Sequence, residues 1–437
     1  MYIASYLRSV FGHEVKILDV RLNKLVSRDI EDIVREYSPD VVGISALTFE
    51  SNAVAWIAEA VKKVNPNIPV LLGGPHPTAY PDKAIETPNV DYGIMGEGEI
   101  VAGQVIERLL TSRDVSGLKG LVYKRDGKVV KTERAEVLED INQLPLPAYD
   151  LIPIEKYGDF DRFNRRHGYM NVMSSRGCPY RCVYCHNIFG KVFRARSAEN
   201  LFEEIKILYD AYQIRQFDIL DDIFNFDKKR LLKFCDLIVK SGMRITIGFP
   251  NGLRGDLLDE EQLVSLRRAG TRVISFAIET GSPRVQKVIK KNVKLDVIWR
   301  NIEIAHSLRI HTHGFFMVGF PTETIEDMEM TVKFLLSSKL HTFNIFAVMP
   351  FEGTELGRMA TEAGRAPVSY FSLCYHSKDF VYLSDVPDEE VTRLRRRALS
   401  RFFLDPVRLF FIVRDLPSFR GFGRLIMLFF RRLRWQE

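Results

Sequence analysis

The sequence predicts an α/β protein: an N-terminal doubly wound parallel sheet, then a partial barrel of βα units, then a helical C-terminal region. Three observations lead there. Short apolar strand-like runs alternate with helical patterns over residues 1–110, six more do so from residue 168 onward, and a proline-rich stretch separates the two series. Alternation of this kind is the pattern of parallel sheets. At 437 residues the chain is long for one core, so two or three domains are expected.

In the first series, residues 3–10 read as helix, 14–19 as strand, 30–37 as helix, 41–45 as strand and 54–64 as helix; 70–73 and 92–95 are further strands. Doubly wound sheets bind ligands at the carboxyl ends of their strands. Those ends carry Ser45-Ala46-Leu47, Gly73-Gly74-Pro75-His76 and Gly96-Glu97-Gly98-Glu99. Small residues there let a large flat ligand approach the backbone. His13, at a strand entrance, reads as structural, whereas His76 reads equally as ligand-facing or as a neutral turn histidine.

Residues 116–167 read as a connector, with a hairpin candidate at Asp126-Gly127 and an extended link at Leu144-Pro145-Leu146-Pro147. The expected division is 1–115, a first α/β domain; 116–167, linker; 168–365, barrel; and 366–437, a basic helical region.

The barrel strands are expected at 170–174, 217–221, 245–249, 273–278, 314–319 and 343–349. Active sites of such barrels lie at the strands' C-terminal ends. There the sequence places a cysteine loop, then Asp221-Asp222, then Asn251 and Arg254, then Glu279, then residues 319–323. Asp222 reads alternatively as the cap of a helix starting near Asp227. Glu279 and Arg254 read alternatively as partners in ion pairs.

The loop reads Ser-Ser-Arg-Gly-Cys-Pro-Tyr-Arg-Cys-Val-Tyr-Cys-His-Asn from Ser174 to Asn187, with Cys178, Cys182 and Cys185 in C-x3-C-x2-C spacing. Iron-sulfur clusters are normally held by four thiolates. A loop with three leaves one iron open to chelate an amine and a carboxylate. A zinc site completed by His186 or Cys235 is the alternative, although structural zinc sites usually come as two separated pairs. Cys235 and Cys374 read as buried small hydrophobes.

On these residues the chain resembles the radical S-adenosylmethionine (SAM) superfamily, whose signature is this spacing with an aromatic, here Tyr184, before the last cysteine. The resemblance implies a (βα)6 barrel, a 4Fe-4S cluster on Cys178, Cys182 and Cys185, and SAM bound to the fourth iron. It implies Tyr184 near the adenine, Asp221 or Asp222 at the SAM amino group, Glu279 at the ribose and Arg254 at the carboxylate. It further implies the segment of Gly319, Phe320 and Glu323 against the adenine. A carboxylate suits a vicinal diol because it accepts two hydrogen bonds.

The first series resembles the cobalamin-binding domain that precedes the barrel in many such enzymes, with Ser45 and Leu47 near the nucleotide tail and Gly73 and Gly74 flanking it. The expected first strand and its loop are missing, and the D-x-H-x-x-G motif of that loop does not occur. The function implied is a cobalamin-dependent radical SAM enzyme acting on an unactivated carbon, with C-methyl transfer first. An oxidative cyclase of the porphyrin type is the alternative, and a non-catalytic Fe-S or cobalamin sensor is the reading from another class. A reductase such as flavodoxin or ferredoxin is the implied partner.

The net charge of +6 is unevenly placed. Twelve arginines stand between 393 and 434 against Asp405 and Asp415, so this stretch carries +10 and the rest of the chain −4. Aromatic and aliphatic residues interleave with these arginines. One reading is a basic amphipathic helix touching anionic lipid or a lipid-like substrate; the other is helices packed on the barrel with solvated arginines. Nucleic acid is disfavoured, because no RNA-binding module is recognisable and no cysteine precedes Cys178, as it does in methylthiotransferases. No apolar run approaches the roughly 18 residues of a spanning helix and no signal peptide is seen. A cytoplasmic protein, with membrane-surface association through the basic region, is expected.

Overall fold

The structure is a computed structural model in which residues 1–112, 114–160, 168–186, 188–365 and 382–415 are described. Asn187, Cys374 and the arginines beyond 415 lie outside these residues. The described residues fall into two compact units, one up to Ile154 and one from Glu155.

The first unit holds a five-stranded sheet: β1 (Val42–Ser45), β2 (Val70–Gly73), β3 (Tyr92–Ile94), β4 (Leu121–Arg125) and β5 (Lys128–Lys131), in that spatial order. β1, β2 and β3 run parallel, whereas β4 and β5 form an antiparallel hairpin added beside β3. Its turn residues Asp126 and Gly127 both have positive φ, 51° and 74°, as a tight hairpin turn requires. The hairpin therefore belongs to the sheet, although the sequence places it in the connector. Helix Ser51–Val64 buries Val54, Ala58 and Val61 in the same core as Val70 and Leu72.

Residues 14–19 are not a strand. They alternate in exposure as a strand would, yet no ladder hydrogen bonds join them to the sheet. Alternation supplies only the side-chain half of a strand; the backbone half needs a neighbour.

The second unit is built on six parallel strands: β6 (Gly168–Val172), β9 (Ile214–Ile219), β10 (Thr246–Leu253), β11 (Thr271–Glu279), β12 (His311–Val318) and β13 (Thr342–Ala347). Their order is β13-β12-β11-β10-β9-β6, so β6 and β13 are the two edges and all neighbours are parallel. Between β6 and β9 the short strands β7 (Ser175–Arg176) and β8 (Arg194–Ala195) pair antiparallel. The connecting helices start at side-chain caps: Ser197, Asp227, Asp259 and Thr324 each accept a backbone N–H of the first turn. Asp227, not Asp222, caps helix Lys228–Ser241. Cys235 in that helix is buried, and burial pushes its thiol up to about 12.

Helices Asp388–Phe403 and Pro406–Arg414 pack on the β13 side of this unit. Phe402 lies 4.6 Å from Phe343 between ring centroids, and Arg395 donates to the Ile345 carbonyl at 3.1 Å. Several arginines of the basic stretch thus bind the protein itself. No helix among the described residues is long and apolar enough to cross a membrane.

Candidate cluster and cofactor site

The cysteine loop leaves β6 and is tied at its base. β7 and β8 close it like a purse, and Gly177, at φ 78°, leaves no room for a side chain, since a Cβ there would sit 2.3 Å from the Val192 carbonyl oxygen. Below the closure lies a buried polar network. The Ser174 N–H and hydroxyl and the Ser175 hydroxyl all donate to Asp221, each at 2.6 Å. Arg230 donates to the Ser174 carbonyl at 3.1 Å and to the Arg196 carbonyl at 2.6 Å, and Arg196 pairs with Glu204. Buried ions held this way are expensive to unpair, so they fix the backbone they touch.

The far side of the loop is held by Val183. Its N–H donates to Ile289 O at 3.1 Å, its carbonyl accepts from Leu356 N at 2.8 Å, and its side chain joins Val285, Ile289, Phe320 and Leu356 in an apolar cluster. The residue between Cys182 and Tyr184 is therefore an anchor, which orients both neighbours.

Cys178, Cys182 and Cys185 line one cavity of about 340 Å³, within the range of small-molecule sites. Tyr180, Tyr184, His186, Lys191, Asp222, Asn251, Arg254, Glu279 and Lys291 also line it. Three free thiols around one roomy cavity fit a multi-iron cluster. Burial pushes the Cys185 thiol up to about 12 and raises Cys178 as well, so both are poor anions until a metal takes the proton's place.

Arg254 is fixed from three sides: its guanidinium lies 3.6 Å from the Tyr180 ring centroid, 3.0 Å from an Asp256 oxygen, and donates to the Asn292 carbonyl at 3.3 Å. Glu279 ends β11 at φ 68° and pairs with Lys291 at 3.3 Å, both side chains about nine-tenths buried. Asp222 has its carboxyl raised, first by burial and further by Asp221, with His186 pulling the other way from 3.8 Å. Tyr184 packs on Phe320 at 5.9 Å, and burial followed by the Glu279 charge holds its phenol well above the ordinary range.

Asp221 and Gly319 do not line the cavity. Asp221 is 3% exposed and bonded to the two serines, so of the acidic pair only Asp222 is turned to the cavity. Gly319, at φ 91°, packs against Tyr382, and Glu323 accepts its N–H at 2.6 Å and that of Phe320 at 3.0 Å. Sequence reasoning missed Tyr180, Lys191 and Lys291 as lining residues. Nothing in the spacing of Lys290 and Lys291 marks the second as buried.

In the first unit, Ser45, Leu47, Gly73 and Gly74 stand at the ends of β1 and β2. A Cβ on Gly74 would meet the Ala46 backbone and the Ser45 hydroxyl at 2.9 to 3.0 Å, so this glycine serves the fit of two loops. A Cβ on Gly73 would meet only Ile44 O at 3.9 Å and one on Gly96 nothing, while Leu47 and Phe49 are exposed. Open space before glycines beside exposed apolar side chains suits a large flat cofactor. His76 is buried, which lowers its pKa and favours the neutral ring.

The His306, His341 and Asp415 trio does not have the donors for a metal. His341 Nδ1 accepts the Thr312 N–H at 3.0 Å, which puts its proton on Nε2, and Nε2 lies 3.0 Å from Asp415. No ring lone pair of His341 is left over.

Residues 172–335 match the Radical SAM superfamily and residues 1–106 the B12 binding domain. The uncharacterized methyltransferase PH0819 of Pyrococcus horikoshii is 32% identical over 96% of this chain and 90% of its own length. The cytidylyl-2-hydroxyethylphosphonate methyltransferase of Streptomyces wedmorensis is 28% identical over 83% of this chain and 77% of its own. Among solved structures, the radical SAM methyltransferase TsrM of Kitasatospora setae, with tryptophan and a SAM analogue bound, superposes with a TM-score of 0.71 at 19% identity, covering 83% of this chain and 73% of that one.

Proposed function

Because the chain belongs to the radical SAM superfamily and carries its B12-binding domain, we propose that it is a methyltransferase that adds a methyl group to an unactivated carbon of a small molecule. The cofactors are a 4Fe-4S cluster, SAM and cobalamin. The observation that carries the reading is the cavity in which three cysteines converge with Asp222, Arg254 and Glu279.

Cys178, Cys182 and Cys185 would hold the cluster. Once loaded, the site supplies an electron that cleaves SAM reductively and a corrinoid that carries the methyl group. The chain's own residues position and enclose. Arg254, already oriented by Tyr180 and Asp256, presents a planar fork to the SAM carboxylate. Asp222 faces the amino group, and Glu279 accepts from the ribose hydroxyls. Tyr184, backed by Phe320 and the Gly319 turn, covers the adenine side. Val183 seals the loop against the barrel and keeps water from entering behind the cysteines.

Ser45, Leu47, Gly73 and Gly74 belong to the cobalamin side, with Gly73 facing the ligand and Gly74 shaping the loop. The electron comes from a one-electron carrier such as a flavodoxin or ferredoxin.

The test is anaerobic incubation of reconstituted protein with SAM, dithionite and hydroxocobalamin, following 5′-deoxyadenosine by mass spectrometry and bound corrinoid by its visible spectrum. Both signals are expected, with 5′-deoxyadenosine lost in Cys182→Ala. Deoxyadenosine without retained corrinoid would overturn methyl transfer from cobalamin. A product lighter by hydrogen, not heavier by a methyl group, would turn the reading to cyclisation.

A further inference from the structure

The helix Pro406–Arg414 is held to the barrel along one side. Arg408 is buried and donates to the carbonyls of Leu340, Leu336 and Ser338 at 2.6, 3.0 and 3.1 Å. Phe411 meets His306 edge-on at 4.6 Å, Ile412 is buried, and Asp415 pairs with His341. The opposite side is apolar and faces outward: Val407 is 60% exposed, Phe410 63%, Leu409 42%, and Leu404, just before the helix, 71%. A helix that is apolar all round is normally covered on both sides. Exposed apolar side chains gathered on one face mark a contact surface, where scattered ones would mark nothing.

The helix before this one carries cations. Helix Asp388–Phe403 exposes Arg393 and Arg401, which enter no ion pair among the described residues, and Arg397, which pairs with Glu329. In sequence, five more arginines and a single acid follow between 416 and 437. An exposed apolar face on a helix that directly follows an arginine-bearing one matches the interface of an anionic bilayer, whose acyl chains take Val407 and Phe410 and whose phosphates take the guanidinium groups. We infer that this face docks the protein on an anionic lipid surface. The helix lies on the membrane and does not cross it.

Co-sedimentation with vesicles tests this, using phosphatidylcholine alone and phosphatidylcholine mixed with phosphatidylglycerol. The wild-type chain should partition onto the mixed vesicles and release as salt rises. Val407→Asp/Phe410→Asp should weaken partition by about tenfold or more, because two charged side chains replace two apolar ones on the docking face. Both positions are exposed, so melting temperature and dithionite-driven SAM cleavage should stay at wild-type values. If the double variant melts early, Arg393→Glu/Arg401→Glu supplies the second arm and should lower both the partition and its salt dependence. Wild-type protein that ignores both vesicles, or binds both equally, overturns the inference. So does a concentration-dependent dimer, lost in the double variant without any vesicle binding, which would make a second copy the occupant. None of these outcomes depends on the cofactor chemistry, so this inference and the proposed function fail separately.

Discussion

Asp221 and Ser174 are bonded twice, the serine donating both its backbone N–H and its hydroxyl to the one carboxylate at 2.6 Å. A residue at the end of β9 thus fixes the entry of the cysteine loop after β6. Its neighbour Asp222 has the other duty, lining the cavity.

The two aspartates should therefore separate by experiment. Asp221→Ala leaves Ser174 N–H and two hydroxyls without their acceptor in a buried site, a loss of about 3–5 kcal/mol with poor iron incorporation. Asp222→Asn should melt near the wild type and load a full cluster, but bind SAM about tenfold more weakly, roughly 1.4 kcal/mol. Iron and sulfide per chain, with SAM affinity by equilibrium dialysis, decide the matter. Full iron in Asp221→Ala with depleted iron in Asp222→Asn would reverse the assignment.

Glu279 and Lys291 form a buried pair 3.3 Å apart. Removing one partner strands the other's charge, so Glu279→Gln and Lys291→Met should each cost about 3 kcal/mol in urea unfolding. The double variant should recover part of that loss. SAM affinity should stay low in the double variant, because the carboxylate proposed to accept from the ribose is gone. Equal stability of both single variants with the wild type would show that water screens the pair.

The strands and the cysteine loop were legible because their signals are local. Apolar runs give β9 to β13 within a few residues, and the C-x3-C-x2-C spacing brings its three cysteines to one cavity. Residues 14–19 misled because exposure alternates whether or not a neighbouring strand exists. Asp221 and Asp222 could not be told apart, since adjacent carboxylates at a strand end look alike until Ser174 and Ser175 claim one of them. Lys291 and Val183 were illegible for the same cause: each acquires its role from a residue far along the chain, Val183 from Ile289 and Leu356.

Gly281, just past Glu279, is packed against backbone. A Cβ there would lie 2.7 Å from Met330 O and 2.8 Å from Thr331 Cα, and its own N–H donates to Thr331 Oγ1 at 2.9 Å. Gly281→Ala should therefore cost about 1–3 kcal/mol through displacement of helix Ile325–Ser337. Gly96→Ala meets nothing and pays only for its φ of 87°, about 1 kcal/mol. Parallel urea melts compare the two, and an equal or smaller loss in Gly281→Ala would show that the helix yields freely.

His341 contributes to acid stability with a predictable sign. Its ring is buried, Nδ1 accepts the Thr312 N–H, and its pKa is lowered to about 4, first by burial, with the neighbouring His306 and Arg414 acting in the same direction. Asp415 opposes this by favouring the charged ring, and does not overcome it. In the unfolded chain the same histidine titrates near about 6.5. Above that pH both states are neutral and nothing is lost. As pH falls from about 6.5 toward 4, the unfolded state takes up a proton that the native state refuses, so stability falls by about 3 kcal/mol in all. His306 and His311, also lowered by burial, add in the same direction. Asp415, lowered by Arg414 and His341, loses its own contribution only below the ordinary carboxylate range, outside this window. Glu323, which burial raises to about 7, acts in the opposite direction as pH falls through the same window, so the test is the difference between two chains. Urea melts at pH 7.5, 5.5 and 4.5 should show wild-type stability falling relative to that of His341→Gln as the pH drops. Parallel profiles of the two chains would mean that the ring is reached by solvent and that the base of the barrel is looser than its hydrogen bonds require.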